Sequence, residues 1–191
     1  MGTLDEGERV EATDAAAWRA WLADNHGTSK GAWLVRARPG SGLVFVDYED
    51  AILHALCFGW IDGPVRSFDH ERGGLWFAPR RPSSGWAATN KARLARLEAE
   101  GLLAPAGLKA IEVAKANGSW TVLDNAEALR EPADLAGALD AESVARASWD
   151  AFPPSTRKGA IALVDSARRP ATRAARIAKI VADAAAGRRP G

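Results

Sequence analysis

Arginine, tryptophan and small polar side chains are interleaved between Cys57 and Trp86, which makes this stretch the best equipped for chemistry. Guanidinium groups bind carboxylates and phosphates through paired hydrogen bonds, and indole rings stack on planar groups. Asp62 follows Trp60 where a strand is expected to meet a turn, and its carboxyl could act as a general acid or base. We therefore predict a pocket for a small anionic or aromatic ligand. Its predicted lining is Trp60, Asp62, Arg66, Arg80, Ser84, Trp86 and Asn90.

A structural role explains the same residues equally well. Asp62 could satisfy a turn or pair with Arg66 or Arg80, and the tryptophans could pack in the core. The helix expected to start near Thr89 or Asn90 favours the ligand, since free backbone N–H groups at a helix start attract anions. The sequence leaves both interpretations open.

Cys57 and His54 form a conceivable nucleophilic pair, because positions three apart share one side of a helix. We favour a buried structural thiol instead, since free cysteines are usually buried. His26, His54 and His70 share no ligand spacing with each other or with Cys57, so no metal site is predicted. The sequence also lacks a glycine-rich phosphate loop and a G-x-S-x-G motif, and we predict no cofactor.

The charge of the chain is nearly balanced overall but unevenly spread. A net charge of +1 argues against a protein that binds nucleic acid by bulk electrostatics, so a nucleic-acid partner is not expected. Cations nevertheless crowd the last predicted helix. A weak contact with phosphates through Arg169, Arg173 and Arg176 therefore stays as an alternative.

Composition also bears on the compartment. The single cysteine, Cys57, excludes an intrachain disulfide and fits a reducing environment. No apolar run approaches the roughly 20 residues that span a bilayer, and no secretory leader follows Met1. We expect a cytoplasmic protein without a membrane span. Its oligomeric state stays open, although some of the eight tryptophans could lie in a dimer interface.

Hydrophobic periodicity predicts a mixed front part and a helical rear part. Helices are expected after caps at Thr13 or Asp14 and at Asp47. The predicted strands are 32–38, 65–69 and 75–78. Later helical segments, separated by prolines, are predicted at 132–139, 141–151, 154–168 and 170–186. The fold class is therefore α+β, with a small antiparallel sheet flanked by helices and an all-helical C-terminal half.

Three regions are expected along the chain. Residues 1–12 are rich in acidic side chains and are predicted to form a disordered tail. Residues 13–125 are predicted to form an α/β core. Residues 126–191 are predicted to form a helical subdomain packed on that core.

Two runs of sequence resemble a known family. Residues 55–63 (ALCFGWIDG), then 79–86 (PRRPSSGW) and Asn90, resemble the signature of the YdeI/OmpD-associated family, whose members are also described as bacteriocin-protection proteins. Residues 167–173 (ARRPATR) resemble its closing motif. Ala87 departs from the pattern, because relatives usually carry a serine there, so no hydroxyl role is expected at this position.

The resemblance implies a fold more than a chemistry. It implies an α/β front half of the frataxin-like or YjbR-like kind, and a link to survival under peptide antibiotics and envelope stress. It implies no catalytic residues. We thus expect a stress-resistance protein that binds a small anionic or aromatic ligand. The alternatives are an enzyme using Asp62 as acid or base, with arginines holding an oxyanion, and a weak nucleic-acid binder.

Overall fold

The computed structural model describes residue 4 and residues 7–190, which form four strands and nine helices. The chain separates into two compact units. Unit 1 comprises Met1–Ser84 and Thr89–Asn117, and unit 2 comprises Gly85–Ala88 and Gly118–Gly191. The predicted α+β class, with helices throughout the C-terminal half, is confirmed.

Unit 1 contains one sheet and the first four helices. The strands are β1 (Glu8–Val10), β2 (Ala32–Ala37), β3 (Trp60–Ser67) and β4 (Arg72–Pro79), in the order β1-β2-β4-β3. The helices are α1 (Ala15–Asn25), α2 (Tyr48–Cys57), α3 (Ala88–Ala99), whose first residue belongs to unit 2, and α4 (Pro105–Asn117).

The first two helices begin at aspartate caps. The Asp14 carboxylate accepts a hydrogen bond from the Ala17 backbone N–H at 2.8 Å, and the Asp47 carboxylate accepts one from the Glu49 N–H at 2.9 Å. Each cap satisfies a backbone donor that has no partner inside its helix. These caps confirm two of the predicted helix starts.

β1 corrects the prediction of a disordered tail. It pairs with β2 in parallel, with Glu8 opposite Ala32 and Val10 opposite Leu34. The acidic composition suggested disorder, but hydrogen bonding to the edge of β2 and burial of Val10 order these residues. Residues 1–3, 5 and 6 of the predicted tail lie outside the described residues. The sheet is therefore mixed, since only β2, β4 and β3 pair antiparallel.

The strand register assigns side chains to two faces of the sheet. Because paired residues of neighbouring strands point to the same side, Trp33 and its partner Trp76 share one face, which we name the tryptophan face. Leu34 and Phe77 lie on the other, which we name the helix face. There Phe77 contacts Trp18 of α1, with ring centroids 5.3 Å apart.

β3 carries a bulge between Asp62 and Val65, where one residue of β3 has no partner on β4. Before the bulge, Asp62 pairs with Phe77 and lies on the helix face. After it, Arg66 pairs with Gly74 and lies on the tryptophan face. The bulge thus places two predicted site residues on opposite sides of the sheet.

Unit 2 is helical within the described residues. Its helices are α5 (Asp124–Glu127), α6 (Ala133–Asp140), α7 (Ser143–Ala151), α8 (Pro154–Asp165) and α9 (Pro170–Ala185). The four helices predicted between the prolines are confirmed to within a few residues. Their inner faces form one apolar core, which contains Leu135, Leu139, Trp149, Ile161, Val164, Ile177 and Ile180.

Candidate functional site

Trp60 lies in the core of unit 1. Its side chain is 1% exposed, and its Nε1 donates to the His26 carbonyl oxygen at 3.3 Å. Its ring meets Trp21 edge to face, with centroids 5.8 Å apart, and Trp21 stacks in turn on Trp18. An indole enclosed in this way has no face to offer a ligand, so its position fits the structural interpretation.

Asp62, Arg80 and Asn90 belong to a polar cluster that also contains Glu49 and Arg93. Arg93 donates from Nε to Glu49 Oε1 at 2.8 Å and from Nη1 to Asn90 Oδ1 at 2.9 Å. The charge of Asp62 acts on both Arg80 and Arg93. Glu49 and Arg93 were missed in the sequence, because no spacing pattern connects the start of α2 with α3.

The charges of this polar cluster balance each other. Burial lowers the pKa of Arg80 to about 10, although the nearby Asp62 charge acts to raise it. Hydrogen bonds from Arg93 lower the pKa of Glu49, and the same bonds raise the pKa of Arg93. Asp62 and Glu49 thus act on the guanidinium groups of Arg80 and Arg93. This balance suits internal pairing better than capture of an outside anion.

Three further predicted residues lie apart from the polar cluster. Arg66 is exposed on the tryptophan face. The Ser84 N–H donates to the Arg81 carbonyl oxygen at 2.9 Å and closes a turn. Trp86 belongs to unit 2, is 1% exposed and contacts the Trp120 ring at a centroid distance of 5.3 Å. The seven predicted lining residues are thus divided among five places. One lies in the core of unit 1, three belong to the polar cluster, one is on the tryptophan face, one closes a turn and one belongs to unit 2.

Asn90 does not cap α3. The helix begins at Ala88, so Thr89 and Asn90, the two expected caps, lie within its first turn. Asn90 instead accepts a hydrogen bond from Arg93, one turn further along the helix.

A groove of about 530 Å³ opens on the tryptophan face of unit 1 beside Trp76. Lys30 precedes β2 and Arg81 follows β4, and the pairing of Ala32 with Phe77 brings these two chain segments together. The volume is within the range of small-molecule sites. The groove is lined by Leu4, Lys30, Pro64, Trp76, Ala78, Pro79 and Arg81.

The groove residues include two ionisable side chains, those of Lys30 and Arg81, and both are cationic. Lys30 and Arg81 are exposed to solvent. Within residue 4 and residues 7–190, neither forms an ion pair with a carboxylate. Trp76 and Arg81 stand in the stretch that the sequence singled out. Lys30 was missed, because only the antiparallel pairing of β2 with β4 brings it near them.

Three glycines fix the Trp76 ring beside the groove. A Cβ atom on Gly31 would come within 2.1 Å of Trp76 Cζ2, and one on Gly7 within 2.2 Å of Cζ3. A Cβ atom on Gly63 would lie 3.1 Å from Cδ1. The ring fits because the two closest positions lack a side chain, and it is only 7% exposed. Trp76 is therefore a rigid wall of the groove.

Cys57 lies apart from the groove, in the core of unit 1. Its side chain is fully buried, and burial raises the pKa of its thiol. Burial, helped by the charge of Arg19, lowers the pKa of His54. Both shifts favour the neutral side chains at physiological pH, which is unfavourable for a thiolate nucleophile.

Two of the three arginines considered for nucleic acid are engaged within unit 2. Arg173 donates from Nε and Nη2 to the two carboxylate oxygens of Asp134, at 2.6 and 2.9 Å. Arg176 donates to the Ser166 hydroxyl at 3.0 Å. Arg169, just before α9, is exposed. Hydrogen bonds to α6 and to the end of α8 thus occupy the guanidinium groups that phosphates would need.

No group of three or more histidine, cysteine, aspartate or glutamate side chains in the described residues is arranged to hold a metal ion. None of the helices formed by these residues is both long and apolar enough to cross a bilayer.

Comparison with known protein families also divides the chain into two parts. Residues 10–110 match the family described as a domain of unknown function (DUF8412), and residues 128–187 match the family described as "Bacteriocin-protection, YdeI or OmpD-Associated". No curated protein and no solved structure matches the chain. The second match confirms the resemblance inferred from the sequence. The chain belongs to the DUF8412 family, whose model matches residues 10–110, and its residues 128–187 are similar to the YdeI/OmpD-associated family.

Proposed function

We propose that the protein binds a small organic anion with a planar, apolar body in the groove beside Trp76. One observation carries the proposal: two exposed cations, Lys30 and Arg81, flank an apolar groove of about 530 Å³ that contains no described carboxylate. The ligand class is the one expected from the sequence. The site differs, because it uses Trp76 and Arg81 in place of Trp60 and Asp62.

The two cations supply the attraction for an anion. A guanidinium and an ammonium group donate charge-assisted hydrogen bonds, which are roughly twice as strong as neutral ones. Lys30 and Arg81 come from separate chain segments, and the pairing of β2 with β4 brings the backbones of these segments together before the ligand arrives.

The other walls select the body of the ligand. Pro64, Pro79 and the edge of Trp76 present rigid apolar surface, and Ala78 adds a small side chain. Rigid rings provide contact area at little conformational cost. Such walls fit a flat aromatic or heteroaromatic group better than a flexible polar chain.

We connect this activity to protection against antimicrobial stress, since one matched family is described by bacteriocin protection. Lys30 and Arg81 would repel a cationic peptide, so direct capture of such a peptide is not the role we propose. The ligand is instead an anionic metabolite whose binding supports the protected state. We expect this to take place in the cytoplasm, where a single buried thiol, Cys57, is stable in its reduced form.

Titration of the wild-type chain with benzoate and with phenyl phosphate tests the proposal. We expect binding that weakens as salt is added, because exposed charges are screened. Lys30→Met and Arg81→Met should each weaken it by about tenfold to a hundredfold, the loss expected for one charged hydrogen bond. Lys109→Met is the matched control, since Lys109 is an exposed cation of α4 outside the groove.

Two results would overturn the proposal. One is the absence of heat or chemical-shift change with either compound up to about 10 mM. The other is binding that Lys109→Met weakens as much as Lys30→Met does. In either case the two groove cations have no special part in anion binding.

A further inference from the structure

We infer that the indole N–H of Trp76 is a third hydrogen-bond donor in the groove and binds the oxyanion of the ligand directly. This inference rests on the proposed function and specifies how the ligand is recognised. The anion would be held by one ammonium, one guanidinium and one neutral N–H group. Such a set binds a carboxylate or a phosphate monoester that is joined to a planar group.

The indole N–H groups of the protein differ in their acceptors. At least five of the eight donate to an oxygen of a described residue, at distances from 2.7 to 3.4 Å. The donors of these five bonds are Trp18, Trp21, Trp33, Trp60 and Trp149. A buried indole N–H normally has such an acceptor.

Trp76, which lines the groove, lacks such an acceptor among the described residues. Its ring is only 7% exposed, yet no acceptor for its Nε1 occurs among the described residues. Nε1 is also absent from the described polar atoms that are sealed from solvent without a partner. The N–H therefore reaches solvent from an otherwise enclosed ring.

The glycine contacts locate the two ring carbons that flank this N–H group. Nε1 is bonded to Cδ1 and Cε2, and these atoms face Gly63 and Gly31. A Cβ atom on Gly63 would lie 3.1 Å from Cδ1, and one on Gly31 would lie 2.7 Å from Cε2. Pro64, which follows Gly63, and Lys30, which precedes Gly31, both line the groove. The N–H edge of the ring thus lies between two segments that each contribute a residue to the groove.

This geometry explains why the ring is held so tightly. A donor contributes most to binding when it does not reorganise on ligand arrival. The slot formed by Gly7, Gly31 and Gly63 fixes the orientation of the indole, and therefore the direction of its N–H bond. Lys30 and Arg81 attract the anion by charge, and the indole fixes where the oxygen lies.

Nitrogen-15 spectra of the indole N–H groups test the inference in the wild-type chain, whose mass of 20.2 kDa permits direct assignment. Without ligand, we expect the Trp76 indole proton to exchange with water faster than those of Trp18, Trp33 and Trp149. On addition of benzoate or phenyl phosphate, it should move downfield more than any other indole proton. Comparison of the two compounds identifies the preferred oxyanion.

Affinity measurements on Trp76→Phe provide the second arm, because phenylalanine keeps an aromatic wall and removes the N–H. We expect about tenfold weaker binding of benzoate, with little change for neutral benzyl alcohol. If benzoate binding depends on Lys30 and Arg81 while the Trp76 proton does not move, the inference is wrong and the proposed function stands. If neither compound binds, both fail. A Trp76→Phe chain that does not fold leaves the wild-type spectra to decide.

Discussion

Arg19 lies against His54, with its Nη1 atom 3.3 Å from the imidazole Nδ1. Because arginine can only donate hydrogen bonds, Nδ1 accepts, and the proton of the neutral ring is on Nε2. The Nη2 atom of the same guanidinium donates to the Leu102 carbonyl oxygen at 2.9 Å. Arg19 therefore ties α1 to α2 and to the segment between α3 and α4, and it keeps a histidine neutral.

This contact predicts that stability depends on pH near neutrality. Burial and the Arg19 charge lower the pKa of His54 below its ordinary value of 6.5. The unfolded chain then binds a proton at higher pH than the folded chain does. The free energy of unfolding should fall as the pH drops below about 6.5, by at most about 1.4 kcal/mol per pH unit, until the folded pKa is passed.

Urea unfolding between pH 8 and 5 measures this dependence. His54→Gln should flatten the profile in that window, because no proton is then taken up at this position on unfolding. His70→Gln is the control and should leave the profile unchanged, since the His70 side chain is 88% exposed. A wild-type profile that is flat, or that falls towards high pH, would contradict the role of His54.

Cys57 should be unreactive in the native protein. Its thiol is fully buried and its pKa is raised by burial, so both access and thiolate content are low. We expect a thiol reagent to label it only at the rate at which unit 1 opens, and rapidly in urea. Cys57→Ala should keep ligand binding intact and cost about 1 kcal/mol of stability. Rapid labelling of the native chain would reopen the hypothesis of a nucleophile.

Gly31→Ala should disrupt the groove. The new Cβ would meet Trp76 at 2.1 Å, and the backbone φ of +148° is one that residues with side chains rarely adopt. We expect a loss of about 2–4 kcal/mol in the free energy of unfolding, from overpacking and backbone strain together. Gly27→Ala is the matched control, because nothing lies within 4 Å of its Cβ position. Equal effects of the two substitutions would argue against a tight slot.

In unit 2, Glu131 should matter more than its neighbour Asp140. Glu131 accepts hydrogen bonds from Arg146 at 2.8 and 3.0 Å and from Trp149 Nε1 at 2.7 Å, and its side chain is 20% exposed. Asp140 contacts the same arginine, but its side chain is 66% exposed. Glu131→Gln should cost about 2–3 kcal/mol, whereas Asp140→Asn should cost about 0.5 kcal/mol or less. Thermal unfolding compares them, and a larger effect of Asp140→Asn would refute this ranking.

Much of the fold could be predicted because local rules decide it. The aspartate caps at Asp14 and Asp47 mark two helix starts, and alternation across residues 32–38 marks β2. Prolines mark the starts of α8 and α9. β1 was missed because only three residues pair, and acidic composition outweighed their weak pattern. β1 is ordered by its pairing with β2, which comes much later in the sequence.

The residues that line the groove differ from the seven that the sequence suggested for a site. Trp60 and Trp76 are alike in the sequence, each close to an arginine, and only the strand register separates them. Trp60 points towards α1, whereas Trp76 points towards three glycines on the opposite face. The bulge after Asp62 further separates that carboxylate from Arg66. Neither the register nor the bulge can be read from composition or spacing alone.

Leu4 gives the amino terminus a practical significance for anyone producing this protein. Its carbonyl oxygen accepts the Trp33 indole N–H at 2.8 Å, and the same residue lines the groove. Any affinity tag fused ahead of it would begin within a few residues of the proposed ligand, and a polyhistidine tag would add cations there. Screening hits obtained with such material would partly report on the tag. Complete removal of the tag avoids this artefact.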